Sequence, residues 1–249
     1  MKSWFDNLYE KNELNFALVW IIIYCVANSL ANYISNAVGI ESSAALVINF
    51  ILVIILFGWI REKGLTKYYG LCRTDVPAGK FLWYIPLIVF MSFNLWFGFV
   101  NNYPAVEALC YILSMICVGF LEEVLFRGFL FKALAKDNVK TAIIISSVTF
   151  SLGHILNLFN GRGMELTINL IQVVYALACG FLFVVIFYRG GSLIPCIIAH
   201  AANNVASVFG NDVGLALEKR LLFVGIIMVI VIAYALILWK ILPEKQENA

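Results

Sequence analysis

The chain has 249 residues, 63% of them apolar and only 13% charged, with a formal net charge of +2 and a mean hydropathy of +0.93. That composition lies outside the range of a soluble domain and describes an integral membrane protein, expected to fold as an all-α polytopic helix bundle with the lipid bilayer as its partner. The near-neutral balance gives no case for nucleic-acid binding, and the six cysteines, none in a CxxC pair, read as reduced packing residues.

The first fifteen residues carry Asp6, Glu10 and Glu13, with no short apolar region ending in a small-residue cleavage site, so no cleaved signal peptide is expected. Apolar spans follow at about 16–36, 43–60, 81–100, 106–131, 141–158, 166–187, 191–209 and 221–242, each long enough to cross about 30 Å of hydrocarbon with some tilt. About eight transmembrane helices are therefore predicted, in a single membrane domain covering 1–249.

In the first span, Asn28, Asn32 and Asn36 recur every fourth residue and form a polar stripe for packing against other helices. The connector at 61–80 mixes Arg61, Lys63, Lys67 and Arg73 with Leu65, Tyr68, Tyr69 and Leu71, the pattern of a segment lying in the membrane interface. The fourth span carries three charges, Glu122, Glu123 and Arg127. A single charge in hydrocarbon costs at least about 2.5–3.5 kcal/mol, so all three require partners or a task.

Glu123 and Arg127 are four apart on one helix face and can neutralise each other, whereas Glu122 points about one hundred degrees away and needs a different partner. The same charges also suit a polar seam between helices. The fifth span holds Phe150 and His154, and the seventh holds His200 and Asn204, again four apart. The sixth has Asn169, Gln172 and Tyr175, read as a packing stripe, and the 157–165 loop is read as external and uninformative.

Charge orients the spans. With a cytoplasmic N-terminus, Lys2, Lys11, Arg61, Lys63, Lys67, Arg73, Lys80, Lys132, Lys136, Lys140, Arg189, Lys240 and Lys245 fall inside, and only Arg162, Lys219 and Arg220 fall outside. This asymmetry predicts both termini in the cytoplasm. Glu122 lies ten residues from Lys132, His154 fourteen from Lys140 and His200 eleven from Arg189. At about 1.5 Å per residue these are depths of roughly 15–21 Å, so the groups can meet in one layer, expected to be reachable from the cytoplasmic side.

Three motifs in order, Glu122-Glu123-x-x-x-Arg127, Phe150-x-x-x-His154 and His200-x-x-x-Asn204, occupy about 119–205. In these residues the chain resembles the CAAX protease and bacteriocin-processing family of intramembrane endopeptidases, which includes the type II CAAX prenyl proteases. The resemblance implies hydrolysis of a peptide bond in a membrane-embedded or membrane-associated protein or peptide. In that scheme Glu122 is the general base, His154 orients the water, His200 and Asn204 stabilise the oxyanion, and Glu123, Arg127 and Phe150 are supporting structure.

A zinc scheme would instead make Glu122, His154 and His200 metal ligands around an open water position. A ligating Glu122 is then not free to act as base, which leaves Glu123, tied to Arg127. Both schemes stand open for the family. Two readings from other classes are a non-catalytic immunity or regulatory partner and a proton-coupled transporter, the latter without the expected internal repeat or paired broken spans. The compact loops suit a bacterial cell-membrane protein.

Overall fold

The computed structural model describes residues 4–159 and 165–243. Gly161, Arg162 and Gly163 of the loop expected to be external, and Lys2 and Lys245 of the charge pattern, lie outside the described residues. Helix α1 (Trp4–Lys11) runs into α2 (Glu13–Val38), which Asn12 caps by accepting a 2.8 Å hydrogen bond from the Asn15 N–H. Helix α3 (Ser43–Glu62) returns antiparallel to α2.

The third crossing is irregular. A 3₁₀ turn (Ala78–Tyr84), α4 (Ile85–Ser92) and a second 3₁₀ turn (Phe93–Phe97) replace one straight helix, with Leu82, Trp83 and Tyr84 at positive φ. Helix α5 (Ala105–Ala135) is the longest. Helix α6 (Val139–Gly153) ends in a 3₁₀ turn (His154–Leu158), and α7 (Leu166–Gly190), α8 (Ile194–Ser207) and α9 (Leu217–Ile241) follow. Among the described residues, the single β pairing is an isolated bridge between Phe99 and Gly210.

Among the described residues, seven helical stretches are long and apolar enough to cross a bilayer. The eighth expected crossing, 191–209, is a helix of only 14 residues, α8. It starts with Pro195 in its first turn and ends before the bridge at Gly210. The polytopic all-α bundle is thus observed, with one member too short to be a span on its own.

Side chains are sorted for a lipid solvent. Ile22 and Val26 on α2, Phe50 and Ile54 on α3, and Leu222 and Val229 on α9 point outward. Polar groups lie inside and pair there: Asn49 donates to Ser114 Oγ (3.2 Å), and Ser151 Oγ donates to the Val173 carbonyl (3.0 Å). In hydrocarbon, close backbone approach replaces hydrophobic driving force. A Cβ on Gly180 of α7 would stand 3.2 Å from Ser147 Cα on α6, and one on Gly119 of α5 would stand 2.8 Å from the Ala201 nitrogen on α8.

The two ends of the bundle differ. At one end the 61–80 connector packs between α1 and the α7–α8 turn: Asp6 accepts from Trp59 Nε1 (2.9 Å) and pairs with Lys63 (2.9 Å), Glu13 pairs with Lys136 (2.7 Å), and the Leu193 N–H donates to the Gly70 carbonyl (2.8 Å). The connector is therefore folded onto the protein, with Tyr69 buried. At the other end the 98–104 segment is tied to 208–211, where Asn102 donates to the Val208 and Gly210 carbonyls at 3.1 and 3.0 Å.

Candidate active site

Inside α5 the winding changes at the motif. Residues Glu123–Phe131 form a π-helical segment with widened i→i+5 turns, beginning immediately after Glu122. Such segments recur at functional sites. The Phe126 carbonyl within it accepts a 2.8 Å hydrogen bond from Ser146 Oγ of α6, buried at both ends. The close crossing at Gly119 and Ala201 then lays α8 against α5 one turn before the carboxylates.

The outcome is a charged cluster in the bundle interior. Glu123 and Arg127 are fully buried, with Arg127 Nη1 donating to Glu123 Oε1 at 3.1 Å. His200 Nδ1 makes a 2.7 Å hydrogen bond to the same oxygen. An ionised carboxylate only accepts, so Nδ1 carries a proton and Nε2 is turned toward Glu122, 3.5 Å from its Oε2. The other oxygen of Glu122 accepts a 2.7 Å hydrogen bond from the Tyr24 hydroxyl on α2. Phe150 lies 4.0 Å beneath the Arg127 guanidinium and packs edge-on against both His154 and His200.

Two cavities meet beside this cluster. The larger, about 580 Å³, reaches His200 and is walled by Phe90, Phe93, Tyr175 and Phe183. The smaller, about 190 Å³, reaches Glu122. His154, Phe150 and Asn204 line both. The structure thus gathers Glu122, Glu123, Arg127, Phe150 and His200 into one cluster linked through His200 and Arg127, and places His154 and Asn204 at the shared wall. The imidazole beside Glu122 is that of His200.

The sequence expectations need three corrections. The Asn28/Asn32/Asn36 stripe is not simple packing: Asn28 and Asn32 line the smaller cavity while Asn36 is exposed. Asn169 and Gln172 also do more than pack. Asn169 donates to the His154 carbonyl (2.8 Å), and Gln172 accepts from Asn157 (3.0 Å), with Asn157, from the loop read as uninformative, lining both cavities. Both cavities run toward the end that carries Asn102, Asp212 and Arg220, not toward the end with the 61–80 connector. Among the described residues no three His, Cys, Asp or Glu side chains are grouped as metal ligands.

Two participants escaped the sequence reading. Tyr24 lies one turn before Asn28 and continues the same stripe, which was the available signal. Asn203, beside the motif Asn204, is buried: its amide donates to the Phe90 carbonyl (2.9 Å), and Asn94 donates to its backbone carbonyl (2.8 Å).

The fold and this cluster define a polytopic membrane protein with carboxylates and an imidazole gathered in the interior of its bundle. Residues 104–206 match the family model of Rce1-like type II CAAX prenyl endopeptidases. The match runs from the residue before α5 into α8 and contains all three motifs, so the resemblance to the CAAX protease family is confirmed over this stretch. No curated protein and no solved structure matches the chain.

Proposed function

We propose that the protein is an intramembrane endopeptidase that hydrolyses a peptide bond of a membrane-associated protein or peptide, acting in a bacterial cell membrane with both termini cytoplasmic. The observation that carries this reading is the hydrogen-bonded run Tyr24–Glu122 and Glu123–His200, opening on two cavities at the motif residues. Buried charge of this kind is costly unless paired, and here Glu123 takes both Arg127 and His200 on one oxygen, Oε1, while Glu122 keeps an oxygen toward the imidazole and the cavity.

In the proposed reaction Glu122 accepts a proton from a water whose oxygen bonds to the substrate carbonyl carbon, while His154 at the shared wall orients that water. The carbonyl electron pair moves to oxygen, where His200 Nε2 and the Asn204 amide donate to it. Since Nδ1–H is engaged with Glu123, Nε2 donates only as part of an imidazolium, and the Glu123 carboxylate faces that charge. Collapse of the tetrahedral intermediate restores the carbonyl and breaks the C–N bond, and the proton held by Glu122 passes to the leaving amine.

This proposed route is metal-free, and no step in it is assigned to zinc. The deciding experiment combines Glu122→Gln with metal analysis. The amide keeps the shape and the hydrogen bond from Tyr24 but takes no proton, so a folded Glu122→Gln protein should cleave no peptide. Full turnover by that variant would remove the protease reading. Stoichiometric zinc, required for turnover by the purified protein and lost in His154→Ala and His200→Ala, would replace this route with the metal scheme.

A further inference from the structure

The two ends of the bundle are unequal in charge, and only one of them communicates with the site. The connector at 61–80, the 132–140 turn, the α7–α8 turn and the C-terminal end of α9 share one end, held together by the contacts of Glu13 with Lys136, of Gly70 with Leu193, and of Arg189 over the Trp239 ring at 4.3 Å. Outside the buried Arg127, eleven of the described lysines and arginines belong to this end. The opposite end, formed by 98–104, 157–159 and 208–220, carries two, Lys219 and Arg220, and Arg220 is paired with Asp212 at 3.1 Å. All these connections are short, which is the condition under which Lys and Arg counts set orientation.

None of the described residues of the basic end lines either cavity. The larger cavity descends from Asn102, Tyr103, Asp212, Val213 and Arg220 to His200. The smaller one runs between α2, α5 and α6 from Asn32 and Ser207 to Glu122. Below the cluster, toward the basic end, the interior is closed by fully buried side chains, among them Leu125, Leu130, Phe131 and Leu193. The water and the chain that reach Glu122 and His200 therefore enter from the weakly charged end.

We infer that the site is served from the non-cytoplasmic face, and that its substrate is a peptide segment already translocated, or the outward end of a membrane-anchored chain, rather than the cytoplasmic tail of a prenylated protein. The nature of the occupant rests on the protease reading; the side of access does not. The walls suit such a chain. Phe90, Phe93, Phe97 and Tyr175 offer apolar and aromatic surface, while Asn94, Asn157, Gln172 and Asn204 supply donors and acceptors for an extended backbone that hydrocarbon would leave unsatisfied. At about 580 Å³ the larger cavity has the size of a ligand site and needs no domain-scale opening.

Cysteine accessibility on the full-length protein tests this. Val213→Cys stands at the open end, Ser207→Cys lies on the wall common to both cavities, and Lys67→Cys marks the basic end. A membrane-impermeant maleimide is applied to intact cells and to inverted vesicles, with the unsubstituted protein as background for the six native cysteines. In intact cells Val213→Cys and Ser207→Cys should label toward completion while Lys67→Cys stays at background, and inverted vesicles should reverse the pattern. Labelling of Ser207→Cys from the cytoplasmic side, or from neither side, overturns the inference, as does labelling of Lys67→Cys in intact cells. The readout needs no turnover, so the expected labelling with no peptide cleavage would end the protease reading and leave the side of access standing.

Discussion

The Tyr24 hydroxyl donates a 2.7 Å hydrogen bond to Glu122 Oε1 from a helix 98 residues away in sequence. One oxygen of the proposed base is thereby fixed, and the other, Oε2, is left 3.5 Å from His200 Nε2. Tyr24→Phe removes the donor and keeps the ring. A hydrogen bond to a charged group contributes about 1.5–3 kcal/mol to stability, so Tyr24→Phe should lower the melting temperature, and turnover should fall by about ten- to a hundredfold as the carboxylate loses its fixed position. Turnover and melting of the purified protein in detergent check both halves, and unchanged turnover would deny Tyr24 a positioning role.

Arg127 is the largest fully buried side chain, and its charge answers Glu123 while its flat face rests on Phe150. Arg127→Ala strands a carboxylate in the interior, at a cost of about 3–5 kcal/mol, and should lower folded yield as well as activity. Arg127→Lys restores the charge but not the stacking or the planar fork, and should recover yield only in part. A fully stable Arg127→Ala protein would refute the structural role.

The adjacent asparagines should separate. Asn203 is held between α4 and the segment that follows it, so Asn203→Ala removes the amide donor to the Phe90 carbonyl, which keeps only the Phe93 N–H, and should destabilise by about 0.5–1.5 kcal/mol. Asn204 lines both cavities, and Asn204→Ala should keep the melting temperature while lowering kcat by about 10²–10³-fold, the usual loss for one oxyanion donor. Equal effects of the two changes on stability and rate would show that this division of labour is wrong.

Gly119→Ala tests the crossing that brings the carboxylates to His200. The new methyl would stand 2.8–2.9 Å from the Ala201 nitrogen, Cα and Cβ. Two of those atoms are backbone, so Ala201→Gly in the same chain cannot relieve the clash. Overpacking of this sort costs about 1–3 kcal/mol, and the lost register should cost more in turnover than in stability. Rescue by Ala201→Gly would mean that only the side chains collide.

Much of this was legible in the sequence, and the part that was not has a physical pattern. Four-residue spacings named Glu123 with Arg127 and His200 with Asn204, because helix geometry is local. Apolar run lengths found the crossings for the same reason. The partners of Glu122 were legible only in part: matching depth allowed His200 to meet it, but nothing in the spacing around Glu122 points to Tyr24, which comes from a remote helix. The π-helical winding after Glu122 also left no mark, since it is sustained by contacts such as Ser146 to the Phe126 carbonyl that only the assembled bundle provides. Nor could depth along each helix tell from which end the interior is open, because that depends on which side chains close the other end.

The shortness of α8 bears on how the protein is made. Fourteen residues rise only about 21 Å, less than the roughly 30 Å of a bilayer core, and this helix also carries His200, Asn203 and Asn204. Such a segment is a poor unit for independent insertion from the ribosome. It gains its place from helices synthesised before it, through the Gly119 crossing and the hydrogen bonds to Glu123, Phe90 and Asn94. The proposed catalytic residues are thus completed among the last steps of biogenesis, after α5 has already committed its two glutamates to the membrane interior.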